Sequence, residues 1–172
     1  LVGRIHLDPI AADAERAAVA ARTAEVAAHL GARGIRVFGD RVQPGADLAA
    51  TRGFVVEALG RLRDRLRGTG VEVWLETHGD FATAAATRSL LEEAGSEGLG
   101  AVWDPANAFS EFGEEPEAGA VALGPFLCHV HLKDVDGEVL AQAKAGEWSF
   151  GTALKAYIFP LLGEGIAEVP EC

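Results

Sequence analysis

Residues 126–134 read FLCHVHLKD. The run starts apolar and ends in His131, Lys133 and Asp134. Along an extended chain, alternation puts His129, His131 and Lys133 on one face. Two other apolar runs end in the same manner. VEVWLET (71–77) closes on Glu76, with Trp74 on the same face, and LGAVWDP (99–105) closes on Asp104, with Val102 on the same face. Three mostly apolar strands that each close on charged residues at their C-terminal ends decide the fold. Before them comes GIRVFG (34–39), a short β-branched run bounded by glycines, and VGRIHLD (2–8) reads as a further strand.

Helical patterns separate these runs. Residues 10–32 are alanine-rich with charges at helical spacing, ending near Gly31 and Gly34. Residues 49–67 form a second helix, with arginines toward the C-terminal end where they suit the helix dipole. Residues 81–94 follow Asp80 as N-cap, and 115–124 form a short helical segment. Residues 135–160 are expected to be a long excursion with a short helix at 151–158.

Short apolar strands alternating with helices are the pattern of parallel βαβ units. Such units close either as an open doubly wound sheet or as a (β/α)₈ barrel. An open nucleotide-binding sheet usually carries a glycine-rich turn after an early strand. No strand exit here has one. In a barrel the C-terminal strand ends form the active face, and that is where Glu76, Asp104, His131 and Lys133 collect. An α/β TIM barrel is the expected fold, as a single domain over residues 1–172.

The composition agrees with a folded domain and narrows its partners. The chain has 172 residues, 49% of them hydrophobic, enough for a substantial core. Its net charge of -11, with no basic run, argues against nucleic acid or an anionic membrane surface as partner. A small anionic substrate is still compatible, because local charge can oppose net charge. Cys128 and Cys172 are too few for a secreted disulfide scaffold, and Cys128 in its apolar run reads as a buried thiol. No apolar run approaches a membrane span and no signal peptide opens the chain, so a cytoplasmic location is expected. The sequence contains no methionine and starts at Leu1, so a segment of a longer protein is expected.

Glu76, Asp104 and His131 each offer one ligating group at the same height on neighbouring strands. Two carboxylates and an imidazole suit a divalent ion such as Mn²⁺, Mg²⁺, Co²⁺ or Zn²⁺. Two carboxylates at close range repel, and a cation between them is the simplest compensation. Arg36 is either an inward substrate contact or half of a core ion pair, and His78 either contacts substrate or caps a loop. Glu111, Glu114, Glu115 and Glu117 read as a solvated loop and helix start. His29, on a helix, and His6 are read as ordinary polar residues, and His129 as a prop for the layer below the site.

The ordered set RVFGD, VWLETHGDF, AVWDPANAF, GEEP, HVHLKD and LLGEG resembles the sugar phosphate isomerase/epimerase family. These are the xylose isomerase-like TIM barrels, which also include inosose dehydratases, inosose isomerases and endonuclease IV. The resemblance covers nearly the whole chain and implies one divalent metal held by four residues from consecutive strand ends. Three of them carry over as Glu76 in LETH, Asp104 in WDPAN and His131 in HVH. The fourth, a glutamate on the last strand, is expected outside this chain, as are the first strands, so the barrel is expected to be incomplete and the segment alone inactive. Glu164 belongs to a loop before that strand and does not fill the place. The family often has histidine where this chain has Asn107, an amide that hydrogen-bonds a substrate hydroxyl but shuttles no proton.

The resemblance implies a small polyhydroxylated carbonyl substrate, a sugar, sugar phosphate or inosose. The ion polarises the carbonyl and acidifies the adjacent C–H. Glu76 moves the proton, Lys133 steadies the negative charge of an enediolate, and Arg36, His78 and Asn107 hold substrate. Return of the proton gives isomerisation or epimerisation, and loss of a β-hydroxyl gives dehydration. An isomerase or epimerase is the first reading and an inosose-type dehydratase the second. A barrel that binds a sugar without chemistry is the third. A homo-oligomer is among the expected assemblies, and abasic-site DNA repair is disfavoured by five histidines and strong negative charge.

Overall fold

The computed structural model describes residues 5–6, 13–39 and 41–167. Five parallel strands, β1 (Ile5–His6), β2 (Gly34–Phe38), β3 (Glu72–Glu76), β4 (Leu99–Trp103) and β5 (Leu127–Val130), lie side by side in chain order. Helices α1 (Asp13–His29), α2 (Leu48–Leu66) and α3 (Ala84–Glu93) connect the first four. Helices α4 (Pro105–Phe112) and α5 (Pro116–Leu123) lead from β4 to β5, and α6 (Gly137–Lys144) and α7 (Phe150–Lys155) follow it. An all-parallel sheet in sequential order, each strand followed by helix, is the arrangement of a (β/α) barrel, of which the described residues supply five strands. Most of the expected run at 2–8 lies outside the described residues.

The two faces of the sheet have different chemistry because β-branched and leucine side chains alternate with glycine and polar ones. Ile35, Val37, Val73, Leu75, Leu99 and Ala101 turn toward the helices and join Val55, Leu59, Leu62, Leu90 and Leu91 in one buried core. Burying a side chain such as Leu75 fully contributes roughly 1.5–3 kcal/mol. The other face carries Arg36, Trp74, Glu76 and Val102, and two glycines make room there. A Cβ at Gly34 would overlap the Trp74 indole, and one at Gly100 would overlap the Cys128 sulfur.

A bulge in β5 sets which face its histidines occupy. Pairing with β4 jumps from Ala101↔Leu127 to Val102↔His129, leaving Cys128 as the extra residue. In a regular strand Leu127 and His129 would share a face. With the bulge, Leu127 packs against the helix-side core while His129 follows Val102 to the other side. Burial, with Glu72 nearby, pushes the half-buried Cys128 thiol above its ordinary pKa and keeps it protonated.

Several sequence expectations are corrected. Strand β4 ends at Trp103, and Asp104 is the N-cap of α4, accepting from Asn107 N at 3.2 Å. Pro105 stops the strand by starting this helix, since proline fits the first helical position, where no N–H is needed. Helix α3 is capped by Thr83, not Asp80, whose Oδ2 instead accepts from Val42 N at 2.6 Å. Glu114 is not a solvated acid, because its carboxylate accepts from Ala84 N at the start of α3. The excursion after residue 135 holds two helices where one was expected, each capped by a side chain, Asp136 for α6 and Ser149 for α7. A second small core of Ala106, Val135, Ala153, Ile158 and Ala167 fastens this excursion over the strand ends.

Candidate metal centre

Glu76 ends β3, Asp104 directly follows β4 and His131 directly follows β5. Parallel pairing sets Glu76 opposite Val102, two residues short of Asp104, and His131 N donates to Trp103 O at 2.8 Å beside it. One ligand atom from each of the three residues lies within 4.8 Å of the others. Glu76 and Asp104 are 4% and 2% exposed. The trio thus converges as the sequence predicted.

Each of the two carboxylates has a side-chain cation against it. Arg36 Nη1 lies 2.8 Å from Glu76 Oε2, and Lys133 Nζ lies 2.9 Å from Asp104 Oδ2. His131 Nδ1 is 3.4 Å from Glu76 Oε1. The compensation expected from a metal alone is therefore shared by two side-chain cations. Of the two readings of Arg36, the ion pair is present, with Glu76, and the side chain also lines the cavity.

Asn107 and Thr77 fix the floor. Thr77 Oγ1 accepts from Asp104 N at 2.8 Å, tying the end of β3 to the end of β4. Asn107 Nδ2 donates to Thr77 O at 2.9 Å, which orients its Oδ1 to accept from Lys133 Nζ at 2.5 Å. Lys133 also lies over the Phe159 ring, 4.9 Å from its centroid. His78 borders the cavity with its ring edge-on to Phe38, at 5.1 Å. His129 is exposed and stacks on Trp74 at 6.4 Å.

These groups surround a cavity of about 970 Å³ at the C-terminal ends of the strands. One wall is the polar set just described. The opposite wall is apolar and comes from the excursion, through Leu140, Trp148, Phe150, Ile158 and Phe159. Thr77 and this wall were missed in the sequence. Thr77 follows a proposed ligand at a strand exit and so had a local signal, whereas the wall comes from a segment without strong periodicity. At the rim, Arg41 pairs with Glu111 and lies 3.9 Å from Asp80.

The donor set fits a hard or borderline divalent ion, two carboxylate oxygens and one imidazole nitrogen with open positions. Glu76 Oε2 is buried and accepts no hydrogen bond despite its proximity to Arg36, so acceptor capacity remains at the centre. A model of the xylose isomerase-like TIM barrels matches residues 3–164. The chain belongs to the xylose isomerase-like TIM barrel family. It is 33% identical over 134 residues to the rhizopine catabolism protein MocC of Rhizobium meliloti, covering 74% of this chain and 41% of that protein. It is 29% identical over 119 residues to the inosose dehydratase of Serratia proteamaculans, covering 66% of this chain and 39% of that protein. Among solved structures, the probable 3-DHS dehydratase AsbF of Bacillus anthracis superposes with a TM-score of 0.75 at 20% identity, over 94% of this chain and 60% of that one. The chain thus spans about two fifths of the length of these two curated relatives. Among the described residues, no helix is long and apolar enough to cross a membrane.

Proposed function

We propose that this barrel belongs to a divalent-metal-dependent enzyme that removes a proton next to the carbonyl of a small polyhydroxylated ketone, acting as an isomerase or epimerase. The observation that carries this reading is the convergence of Glu76, Asp104 and His131 at the floor of an open cavity. Those three residues would hold the ion, which when bound polarises the substrate carbonyl. Glu76, buried at the cavity and held by Arg36, takes the proton. Lys133 presents an ammonium to the developing oxyanion, and Asn107 fixes that ammonium. Arg36 keeps Glu76 in place, while the apolar wall suits the C–H face of a sugar or cyclitol and excludes water from the carbanionic centre.

A second reading, dehydration, has its own support. Lys133 is a proton donor on the cavity wall that also carries the base, so one side chain takes a proton while the other gives one to a departing hydroxyl. The resemblance to an inosose dehydratase points the same way and makes an inosose the first substrate to try. The test is incubation of the Mn²⁺-loaded full-length protein with an inosose in D₂O, followed by proton NMR. Deuterium entering the carbon beside the carbonyl with the hydroxyls intact supports the isomerase or epimerase. Loss of water to an enone or diketone supports the lyase. Absence of both across inososes and ketohexoses refutes the proton-transfer reading.

A further inference from the structure

The two carboxylates of the centre do not meet their cations in the same manner. Glu76 uses different oxygens for different neighbours: Oε1 faces His131 and Oε2 faces Arg36. Asp104 has no such freedom. Its Oδ1 accepts the backbone N–H of Asn107 as the cap of α4, which leaves Oδ2 for the cavity. That same Oδ2 is held by Lys133 at 2.9 Å. A metal bound through Oδ2 would therefore meet Lys133 at the same oxygen atom.

We propose that Lys133 is the resident counter-ion of Asp104, which gives up Oδ2 when a divalent ion is loaded and is retained in the cavity by Asn107. The proposal rests on the metal reading of the centre. Asn107 is suited to the handover because its amide satisfies two opposite demands at once. Nδ2 donates to Thr77 O and so locks the side chain, while Oδ1 accepts from Lys133. The ammonium leaving Asp104 thus keeps one hydrogen bond and its place over Phe159. Loading the ion would turn Lys133 from a partner of the protein into a partner for the substrate oxygen. Before loading, the buried Asp104 is never left uncompensated, which would be strongly destabilising.

This arrangement predicts an effect opposite to that of a merely structural residue. Removing a structural lysine loosens a metal site. Removing a competing cation a few ångströms away tightens it, because like charges repel strongly in a partly dry cavity. The measurement is Mn²⁺ affinity of the full-length protein by calorimetry, for wild type, Lys133→Met, Lys133→Gln and Arg36→Met. Both Lys133 variants should bind Mn²⁺ at least about tenfold more tightly, and their melting temperature should fall in EDTA and recover with Mn²⁺. Arg36→Met should tighten binding less, since Arg36 holds the oxygen of Glu76 that faces away from His131. Unchanged or weaker Mn²⁺ binding in both Lys133 variants overturns the proposal while leaving the metal centre standing. Equal tightening by Arg36→Met overturns the competition for a single oxygen. A wild-type protein that binds no Mn²⁺ overturns the metal reading itself, and the handover with it.

Discussion

Asp104 and Asp134 are both buried aspartates lying just past the end of a strand, 2% and 1% exposed. Each follows an apolar run, and burial alone does not tell them apart. Their partners do. Asp104 spends one oxygen on the cap of α4 and turns the other toward Lys133 and the cavity. Asp134 is saturated by the backbone: Val135 N and Ala167 N donate to Oδ1, and Gly163 N and Gly165 N donate to Oδ2, all at 2.8–3.0 Å. Backbone donors cannot move aside for a ligand, whereas a lysine can. Under the proposed handover the first carboxylate passes between cations, while the second pins the turn 163–167. Gly165 belongs to the second device, because a Cβ there would overlap the Asp134 carboxylate.

The largest effect should come from the first region. In the full-length protein, Glu76→Gln keeps the shape of the side chain but removes the base and a negative ligand. Turnover should fall about 10³-fold in metal-replete assays, within the usual range for a general base. The unfolding midpoint should change little. Retention of most activity would show that another group takes the proton.

Next in size is the contrast between the two aspartates. Asp134→Ala leaves buried backbone donors of the 163–167 turn without an acceptor and should cost about 3 kcal/mol of stability. Asp104→Asn keeps an N-cap oxygen and should cost about 1 kcal/mol or less, yet weaken Mn²⁺ binding severely. Denaturant titration and metal titration of both variants check this. Equal stability losses would erase the distinction drawn between exchangeable and pinned carboxylates.

Acidity sharpens the same contrast. Burial alone would raise the Asp134 pKa, but the N–H groups of Ala167, Gly165, Val135 and Gly163 together outweigh it and hold the carboxyl below its ordinary value. A depressed folded pKa means that the stabilisation is fully present above the unfolded value of about 3.9 and is lost as pH falls through the folded one. The stability gap between wild type and Asp134→Ala should therefore be constant above about pH 5 and shrink below about pH 4. A gap that grows on acidification would contradict the hydrogen-bond account.

How much of this was readable in the sequence follows from where each residue sits. Strand interiors and the trio at their ends were legible because alternation acts locally and sets Glu76, Asp104 and His131 at the C-terminal ends of successive apolar runs. Arg36 was legible only as either a substrate contact or half of an ion pair, since its pairing with Glu76 depends on side-chain reach across β2 and β3. The exposure of His129 was not legible, because it depends on what stands opposite the sheet. Helix α4 was missed because Asp104 was read as the last strand residue, when Asp-Pro is also a helix cap followed by the first helical position. The role of Asp134 was hidden by distance along the chain, since its donors lie up to 33 residues away.

The smallest expected effect lies in the segment that leads into the pinned turn. Tyr157 has φ +58°, in the left-handed region that costs a residue with a Cβ roughly 1–2 kcal/mol. The conformation is imposed by its neighbour: Ile158 must turn back so that its carbonyl accepts from Asp136 N at 2.9 Å and its side chain enters the small core. Tyr157 itself is 79% exposed and contributes little packing in return. Tyr157→Gly relieves the strain but frees the unfolded chain, so the net gain should be about 0.5–1 kcal/mol. Tyr157→Ala keeps the Cβ and should gain nothing. Thermal melts of the two variants separate backbone strain from loss of the ring. If alanine and glycine stabilise equally, the exposed ring and not the backbone is at fault. If neither does, Tyr157 is held by the cavity-side region, and the turn is less independent of the metal centre than the two aspartates imply.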